Sequence, residues 1–477
     1  MAARNRLETD VVSNPESMSW RVKNSDPSVS MPFRDDSVLS TASHGAKTLK
    51  RATTAVSDRS SPRNDALFRR VFELPPQLIA RLHRESEERT RVRKPVMRGA
   101  SIFSSGQPIP LDIWRGGPGS WQILGDLCLS KLSQEPNYHV RGLELVPRSP
   151  LISAKSMLRM CGIGVVNSKG CKSEENLLPG QDNFSVCRLQ NGWELFIIAD
   201  GHGIGGEWPA TKVIEVLPNV LQGDSCTKML QNEEVSAALL SAFEKTQQFL
   251  EEESPKAGVM LEMAGCAVVC AMRHPNRNFL WVASAGDSRA MLIAHGSGVI
   301  QQTNDHKPSV AEERKRIEEN GGEIISENVE TARVFVRGEA YPGLAMTRSL
   351  GDTIVKDFGV ISEPEVVKWH LDGRPGLMLV AATDGLWDFL ENDVIATHIL
   401  GGIQAGRTTQ KIAEELLSFS RSAWQQQTDG QYVDDITILL VPLCGASSTH
   451  PFKFAHSCGC LNGLNRLLGR RERNVNP

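Results

Sequence analysis

A predicted strand that ends in an aspartate, Glu194-Leu-Phe-Ile-Ile-Ala-Asp-Gly-His-Gly203, is the stretch from which the fold of this chain is inferred. Every side chain between Glu194 and Asp200 is apolar, which is typical of a buried β-strand. Asp200 therefore stands where the strand ends. An aspartate in that place is either a turn residue, because its side chain bonds the nearby backbone, or part of a site at the edge of a sheet.

Other runs of the same kind follow along the chain. Apolar runs at 266–272, 279–284, 289–294, 377–382 and 436–441 predict further buried strands. Apolar residues at helical spacing predict helices around 235–250 and 412–424, and the capping box Ser309-Val-Ala-Glu312 predicts a third that ends at Gly321-Gly322. Short turns between neighbouring strands favour antiparallel pairing. We expect an α/β (α+β) sandwich: two antiparallel sheets packed face to face, with helices on both outer faces.

Acidic residues recur at the ends of these predicted strands. Asp287 lies in the turn Gly286-Asp-Ser288, Asp384 follows an apolar run, and Asp434 and Asp435 directly precede another. Strand ends in a compact sheet meet at one rim, and several carboxylates there would repel one another unless cations lay between them. Sites made of carboxylate oxygens favour Mg²⁺ or Mn²⁺. The sequence therefore predicts a divalent-metal site at one edge of the sandwich.

Composition narrows the class of protein further. The 477 residues carry a net charge of −3, which gives no general attraction to nucleic acid or an anionic membrane. Residues 1–100 hold a net +7, which leaves an acidic −10 for the rest. Ten cysteines without a C-x-x-C pair indicate neither zinc nor disulfides. The absence of a secretory signal or an apolar run of about 18 residues predicts a cytoplasmic or nuclear protein.

An ordered series of short motifs then resembles one family. The motifs are Asp200-Gly-His-Gly203, Gly286-Asp-Ser-Arg289, Asp305-His-Lys-Pro308, Arg348-Ser-Leu-Gly-Asp352, Thr383-Asp-Gly-Leu-Trp-Asp388 and Asp434-Asp-Ile-Thr437. Together they resemble the metal-dependent protein phosphatases of type 2C, the PPM family, over about residues 157–443. Gly180-Gln-Asp182 and Tyr341-Pro-Gly-Leu-Ala-Met346 are similar to the branch found in plants and protists.

The resemblance implies a function and a set of site residues. It implies two bound Mg²⁺ or Mn²⁺ ions, with Asp200 bridging them, and a metal-activated water that attacks the phosphorus of phosphoserine or phosphothreonine without a covalent phosphoenzyme. His202 would protonate the departing oxygen. The other implied ligands are the Gly201 carbonyl, Asp384 and Asp434, with Asp182 in support and Asp287 and Asp388 at a third, weaker site. For Asp388 the alternative is a helix cap, and for His202 a turn residue.

The chain departs from the family pattern at two places. Gln181 stands where many members have a glutamate, and Leu177 stands near the place of an arginine that grips phosphate. Lys169 and Lys172 are the candidate phosphate-binding residues instead, the alternative being ordinary solvated lysines. We expect Asp305-His306-Lys307 to form a turn and helix-cap network, Arg348 and Asp352 to form an ion pair, and residues 322–343 to form a flap beside the site.

The chain is divided into four parts on this basis. Residues 1–65 are predicted to be a disordered tail, 66–150 a basic linker or docking segment that carries Trp114, Trp121 and Tyr138, 155–445 the catalytic domain, and 446–477 a C-terminal tail. In the last part, leucines and arginines after Cys458 and Cys460 are compatible with a short membrane-surface helix that palmitoylation would strengthen, or with a frayed soluble tail.

Three functions are compatible with the sequence, and the first is preferred over the other two. The first is a monomeric phosphatase acting on phosphorylated proteins and not on nucleic acid. The second is a pseudophosphatase that only binds partners, for which Gln181 is the one supporting residue. The third is a metal-dependent phosphatase for small phosphate esters, which would need a closed basic pocket.

Overall fold

The computed structural model describes residues 120–126, 137–149, 151–172, 179–326, 331–374 and 376–443. The predicted disordered tail 1–65, the docking residue Trp114, the phosphate-site position Leu177 and the C-terminal tail 446–477 lie outside these residues. The hypotheses about them, including the membrane-surface helix, stay predictions.

Strands and helices alternate along the described chain. The strands are β1 (Trp121–Gly125), β2 (Leu143–Val146), β3 (Gly164–Ser168), β4 (Asn183–Arg188), β5 (Glu194–Gly203), β6 (Ala264–Arg273), β7 (Phe279–Ala285), β8 (Arg289–Ala294), β9 (Gly298–Gln302), β10 (Glu323–Ile325), β11 (Arg333–Phe335), β12 (Pro342–Leu344), β13 (Leu350–Gly351), β14 (Glu365–His370), β15 (Met378–Ala382) and β16 (Ile436–Pro442). The helices are α1 (Ala154–Met160), α2 (Glu207–Gln222), α3 (Asp224–Gln231), α4 (Val235–Ala257), α5 (Ala311–Glu319), α6 (Thr353–Lys356), α7 (Asp384–Trp387), α8 (Asn392–Gln404) and α9 (Thr409–Gln427).

The strands form two large antiparallel sheets and one small one. The first sheet has the order β14-β7-β6-β5-β4-β1-β2, with β13 paired to β6, and the second has the order β3-β16-β15-β8-β9. The third is the three-stranded sheet β10-β11-β12 within the predicted flap. Neighbouring strands in both large sheets run antiparallel. The predicted fold class is confirmed.

Strand β5 shows why its apolar run is continuous. Phe196 and Ile198 point into the core between the two large sheets, whereas Leu195 and Ile197 point into the core beneath helices α2 and α4. Strand β15 of the second sheet divides its side chains in the same way, between the central core and the core beneath α8 and α9. Because each central strand is buried on both faces, only its ends are free to carry polar side chains.

The first sheet includes a strand that lies before residue 155, where the catalytic domain was predicted to begin. Strand β1 pairs with β4 in the first sheet, and its residues Trp121, Ile123 and Leu124 are at most 3% exposed. Tyr138 also contacts the body, because the Arg421 guanidinium donates to its carbonyl oxygen and lies over its ring. The Gly- and Pro-rich surroundings concealed a strand of only five residues.

The predicted capping box at Ser309 is also wrong in detail. Helix α5 exists, but it begins at Ala311 after Val310, and no side chain caps its first turn. Glu312 and Glu313 in that turn supply the negative charge that a helix N-terminus favours.

Deleting residues 1–150 should therefore unfold or strongly destabilise the protein, whereas deleting residues 1–119 should keep the described fold. Loss of β1 removes three buried apolar side chains worth about 1.5–3 kcal/mol each, against a usual total stability of about 5–15 kcal/mol. Thermal denaturation of both truncated proteins measures this. Equal melting temperatures would contradict the placement of β1 in the sheet.

Candidate active site

The carboxylates predicted from strand ends meet where the two large sheets come together. Asp200, at the end of β5, accepts a hydrogen bond of 3.5 Å from the backbone N–H of Asp384, which begins α7 directly after β15. Asp182, just before β4, accepts hydrogen bonds from the hydroxyls of Thr383 at 2.8 Å and Thr437 at 2.9 Å. Asp182 therefore joins the first sheet to the two central strands of the second.

Burial and mutual repulsion perturb these carboxyl groups. Burial and the neighbouring charges of Asp384 and Asp182 raise the pKa of Asp200 well above its ordinary value. Burial and the charges of Asp388 and Asp434 do the same to the pKa of Asp384. The pKa of Asp182 rises to about 7, chiefly through burial and then through Asp435. We call the acids that interact here the carboxylate cluster: Asp182, Asp200, Asp287, Asp384, Asp388, Asp434 and Asp435.

Lys172 and Tyr432 occupy one side of the carboxylate cluster. The Lys172 ammonium lies 3.0 Å from Asp434 Oδ1 and 3.4 Å from Asp435 Oδ2, and the Tyr432 hydroxyl donates to Asp434 Oδ2 at 3.1 Å. Burial alone would lower the pKa of Lys172, but the charges of Asp434 and Asp435 outweigh it and raise that pKa. Lys172 therefore neutralises part of the negative charge that the acids bring together.

Gln181 has a structural place at the same edge. Its side-chain amide donates to the Gly203 carbonyl at 2.8 Å, and its backbone N–H donates to Asp435 Oδ2 at 2.8 Å. The amide oxygen of Gln181 lies 3.4 Å from the Lys172 ammonium. Its side chain thus helps to hold the turn that follows Asp200 and His202.

Asp287 and Asp388 both lie near one lysine side chain, that of Lys307. The Lys307 ammonium lies 4.0 Å from Asp287 Oδ2 and 3.7 Å from Asp388 Oδ1. Asp388 is the C-cap residue of α7, and the N-cap of α8 is Glu391, so Asp388 does not cap the next helix.

The Asp305-His306-Lys307 motif braces the hairpin that carries Asp287 and caps no helix. Asp305 accepts two hydrogen bonds from the Arg289 guanidinium, at 2.9 and 2.7 Å. His306 contacts the Gly286 backbone through Nδ1 at 3.0 Å. The expected helix-cap network is therefore wrong, because α5 begins at Ala311, after the motif has ended.

His202 forms a hydrogen-bonded pair that the sequence analysis did not predict. Its Nε2 lies 2.7 Å from Oδ2 of Asp352, which is 1% exposed.

The expected ion pair between Arg348 and Asp352 is absent from the described contacts of either residue. Arg348 binds Glu313 instead, with 2.6 Å between Arg348 Nη2 and Glu313 Oε1. Burial would raise the pKa of Glu313, but hydrogen bonds from Arg316, Arg348 and Thr347 hold it well below its ordinary value.

The donor set fits hard divalent cations. It consists of carboxylate oxygens, and two of them, Asp182 Oδ1 and Asp287 Oδ1, are buried with no hydrogen-bond partner. Buried unpaired oxygens are costly, so a ligand at this place would relieve them. Within the described ranges, no three acidic, histidine or cysteine side chains lie close enough together, as placed, to hold a metal ion. The support for a cation is therefore the chemistry of the donors and the two unpaired oxygens.

The lysines predicted to bind phosphate have other surroundings. Lys169 is only 2% exposed, and Lys172 is engaged with Asp434. A different cationic residue, Arg333 on the flap strand β11, was not predicted from the sequence. Burial lowers the pKa of Arg333, while the charges of Asp287, Tyr432, Asp384 and Asp388 act in the opposite direction. These interactions place the flap beside the carboxylate cluster.

Comparison with known proteins gives the family that the sequence motifs resemble. The family model described as protein phosphatase 2C matches residues 167–427, more than half of the chain. A probable protein phosphatase 2C 61 of Arabidopsis thaliana is 30% identical over 252 residues, which span 52% of this chain and 74% of that protein. A probable protein phosphatase 2C 48 of Oryza sativa subsp. japonica is 32% identical over 290 residues, 54% of this chain and 78% of that protein.

The similarity to a solved structure is weaker than the similarity to these relatives. The crystal structure of serine-threonine phosphatase 2C from Toxoplasma gondii aligns with a TM-score of 0.49 and 20% identity, over 59% of this chain and 94% of that one. On the family match, this chain belongs to the protein phosphatase 2C family. Its enzyme class is that of the serine/threonine protein phosphatases.

The metal-free protein should lose stability as pH rises from 5 to 8. The folded state raises the carboxyl pKa values, that of Asp182 to about 7, so it holds protons that the unfolded chain has released, and each deprotonation across this range favours unfolding. Asp200→Asn removes one of the interacting charges and should flatten the decline in melting temperature. The exposed Asp224→Asn is the matched control. An unchanged decline in Asp200→Asn would contradict the repulsion.

Proposed function

We propose that this chain hydrolyses phosphoserine and phosphothreonine in proteins with two Mg²⁺ or Mn²⁺ ions bound at the carboxylate cluster. The observation that carries the proposal is that Asp200 and Asp384, joined by a backbone hydrogen bond, are buried among acids whose charges raise the pKa of both. Buried like charges repel one another and destabilise the fold, and a cation bound among them would remove that repulsion.

The ligands are proposed from the positions described above. Asp200 and the Gly201 carbonyl would hold the ions together with Asp384 and Asp434. Asp182 supports this set through Thr383 and Thr437, whose hydroxyls fix its carboxylate. Asp287 and Asp388 would hold a third, weaker ion on the side where Lys307 lies.

Two bound ions of this kind supply a water acidic enough to act as hydroxide near neutral pH. The protein's own residues supply the rest. His202, two positions after Asp200, would give a proton to the serine or threonine oxygen as it leaves. Because that oxygen would otherwise depart as an alkoxide, this proton matters more for phosphoserine and phosphothreonine than for an acidic leaving group.

Arg333 is proposed to bind the phosphate of the substrate in place of the predicted Lys169 and Lys172. It lies on the flap, it is fixed by a hydrogen bond of 2.9 Å from its Nη1 to the Gly343 carbonyl, and it interacts with the cluster acids. A guanidinium can bind two phosphate oxygens at once, which a lysine cannot do with the same geometry.

Phosphorylated proteins are the proposed partners, and the chain is proposed to act as a monomer that does not bind nucleic acid. Within the described ranges, no helix combines the length and apolar character needed to span a bilayer. A cytoplasmic or nuclear location, and contact of the C-terminal tail with a membrane surface, stay predictions.

The pure protein should release phosphate from a phosphothreonine peptide with Mn²⁺ and stop when EDTA is added. Asp200→Asn should lose on the order of a thousandfold in turnover, because metal-ion catalysis supplies several kcal/mol. Asp224→Asn should keep full turnover.

Two results would contradict this function. Tight peptide binding without Mn²⁺-dependent release would favour the pseudophosphatase. Hydrolysis of small phosphate esters without release from peptides would favour the small-molecule enzyme.

Arg333→Ala should lower kcat/KM for the phosphopeptide about tenfold to a hundredfold, chiefly through a higher KM. A hydrogen-bonded charged group contributes about 1.5–3 kcal/mol to binding. Arg337→Ala, an exposed arginine of the same flap, should change little. Steady-state kinetics at saturating Mn²⁺ separates the two, and similar values for both variants would remove Arg333 from the phosphate site.

A further inference from the structure

Asp352 and His202 form a hydrogen-bonded pair in which the Asp352 side chain is the more deeply buried. The His202 side chain is 21% exposed, while that of Asp352 is 2% exposed, and 2.7 Å separates Nε2 from Oδ2. The other ring nitrogen, Nδ1, is shielded from solvent and has no hydrogen-bond partner among the described residues. A buried ring nitrogen without a partner is costly, so a substrate group or a bound water must serve it.

The carboxylate of Asp352 lies in a space that only glycine leaves open. Gly265 on β6 is the register partner of His202 on β5, and a Cβ placed on Gly265 would lie 2.1 Å from Asp352 Oδ2. The absence of a side chain at Gly265 therefore allows the carboxylate to reach the imidazole across two paired strands.

The backbone at Asp352 is held in an unfavourable conformation. Its φ of +47° lies in the left-handed region, which is strained for a residue with a side chain. The Asp352 N–H donates to the Ala264 carbonyl at 2.9 Å, and the Gly351 N–H donates to Gln247 Oε1 at 2.8 Å. Lys356 adds a hydrogen bond of 2.6 Å to the Ser349 carbonyl. These bonds on both sides fix the turn.

We propose that Asp352 is a positioning residue for His202: its carboxylate accepts the hydrogen of Nε2, which fixes the ring and leaves Nδ1 to give its proton to the departing oxygen. This inference rests on the proposed function, in which His202 is the acid. In the transfer, the Nδ1–H bond breaks, a bond forms between that hydrogen and the leaving oxygen, and the electron pair stays on nitrogen.

A merely structural ion pair would not require this arrangement. The buried Asp352 carboxylate needs a partner, but stability alone does not require that partner to be the histidine two residues after Asp200. The protein nevertheless accepts a left-handed aspartate and keeps a glycine opposite it. Local strain of this kind is often found where the position of a side chain matters for function.

The first test compares two substrates that differ in their need for a proton. His202→Ala and Asp352→Asn should each lose about a hundredfold or more in kcat on a phosphothreonine peptide, and much less on p-nitrophenyl phosphate, whose leaving group departs without help. Asp224→Asn is the control for an exposed aspartate. Equal losses on both substrates in Asp352→Asn alone would overturn the inference, whereas equal losses in His202→Ala would instead reject the acid in the proposed function.

A double-mutant cycle separates positioning from support of the fold. If Asp352 acts through His202, then Asp352→Asn should cause little further loss in a His202→Ala background. Losses that multiply in the double variant would show that Asp352 acts independently of the imidazole and would overturn the inference.

A measurement on the unaltered protein needs neither activity nor a folded variant of Asp352. Long-range ¹H–¹⁵N NMR of the imidazole groups, with His202 identified by the loss of its signal in His202→Gln, reports which ring nitrogen carries hydrogen. The inference predicts a protonated Nε2. A bare Nε2 would overturn it, because the Asp352 carboxylate would then have no hydrogen to accept, and this result is independent of whether the chain is an active phosphatase.

Discussion

Repulsion among buried carboxylates is the constraint on which the rest of the site depends. The two large sheets bring the end of β5 against the start of α7 and the residues before β16, and each of these points carries an acid. Burial would be tolerable for one such group, but Asp200 and Asp384 each face several others. The proposed cations would relieve this repulsion, because they would turn it into attraction of the acids toward a common positive charge.

The surroundings of the acids are organised to limit that repulsion. Hydroxyl groups of Thr383 and Thr437 solvate Asp182 without adding charge, and Lys172 and Lys307 supply positive charge on opposite sides. The flap adds Arg333 from a separate small sheet. Rigid strands thus hold the acids, while Arg333, proposed to contact the substrate, lies on a separate segment of short strands that can vary without disturbing them.

The sequence predicted the sheets well because the central strands are buried on both faces, which makes their apolar runs continuous. Strand ends also predicted that Asp200, Asp287, Asp384, Asp434 and Asp435 would come together, whereas Asp182 and Asp388 were expected only from the family resemblance. The sequence did not predict a short strand or the contacts between residues that lie far apart in the chain. The strand around Ile123 is short and lies in a Gly- and Pro-rich setting, and no spacing rule connects His202 with Asp352, 150 residues away. Arg348 was paired with the nearer acid, whereas folding brings Glu313 to it.

Anomalous scattering from a crystal of the full chain grown with Mn²⁺, recorded at the manganese absorption edge, tests the central claim most directly. The account predicts two peaks that share Asp200 as a ligand, about 3.5–4 Å apart as in other two-metal sites. Asp200→Asn should lose at least one of them. A crystal with ordered Asp200, Asp384 and Asp434 side chains at saturating Mn²⁺ and no anomalous peak among them would contradict the account.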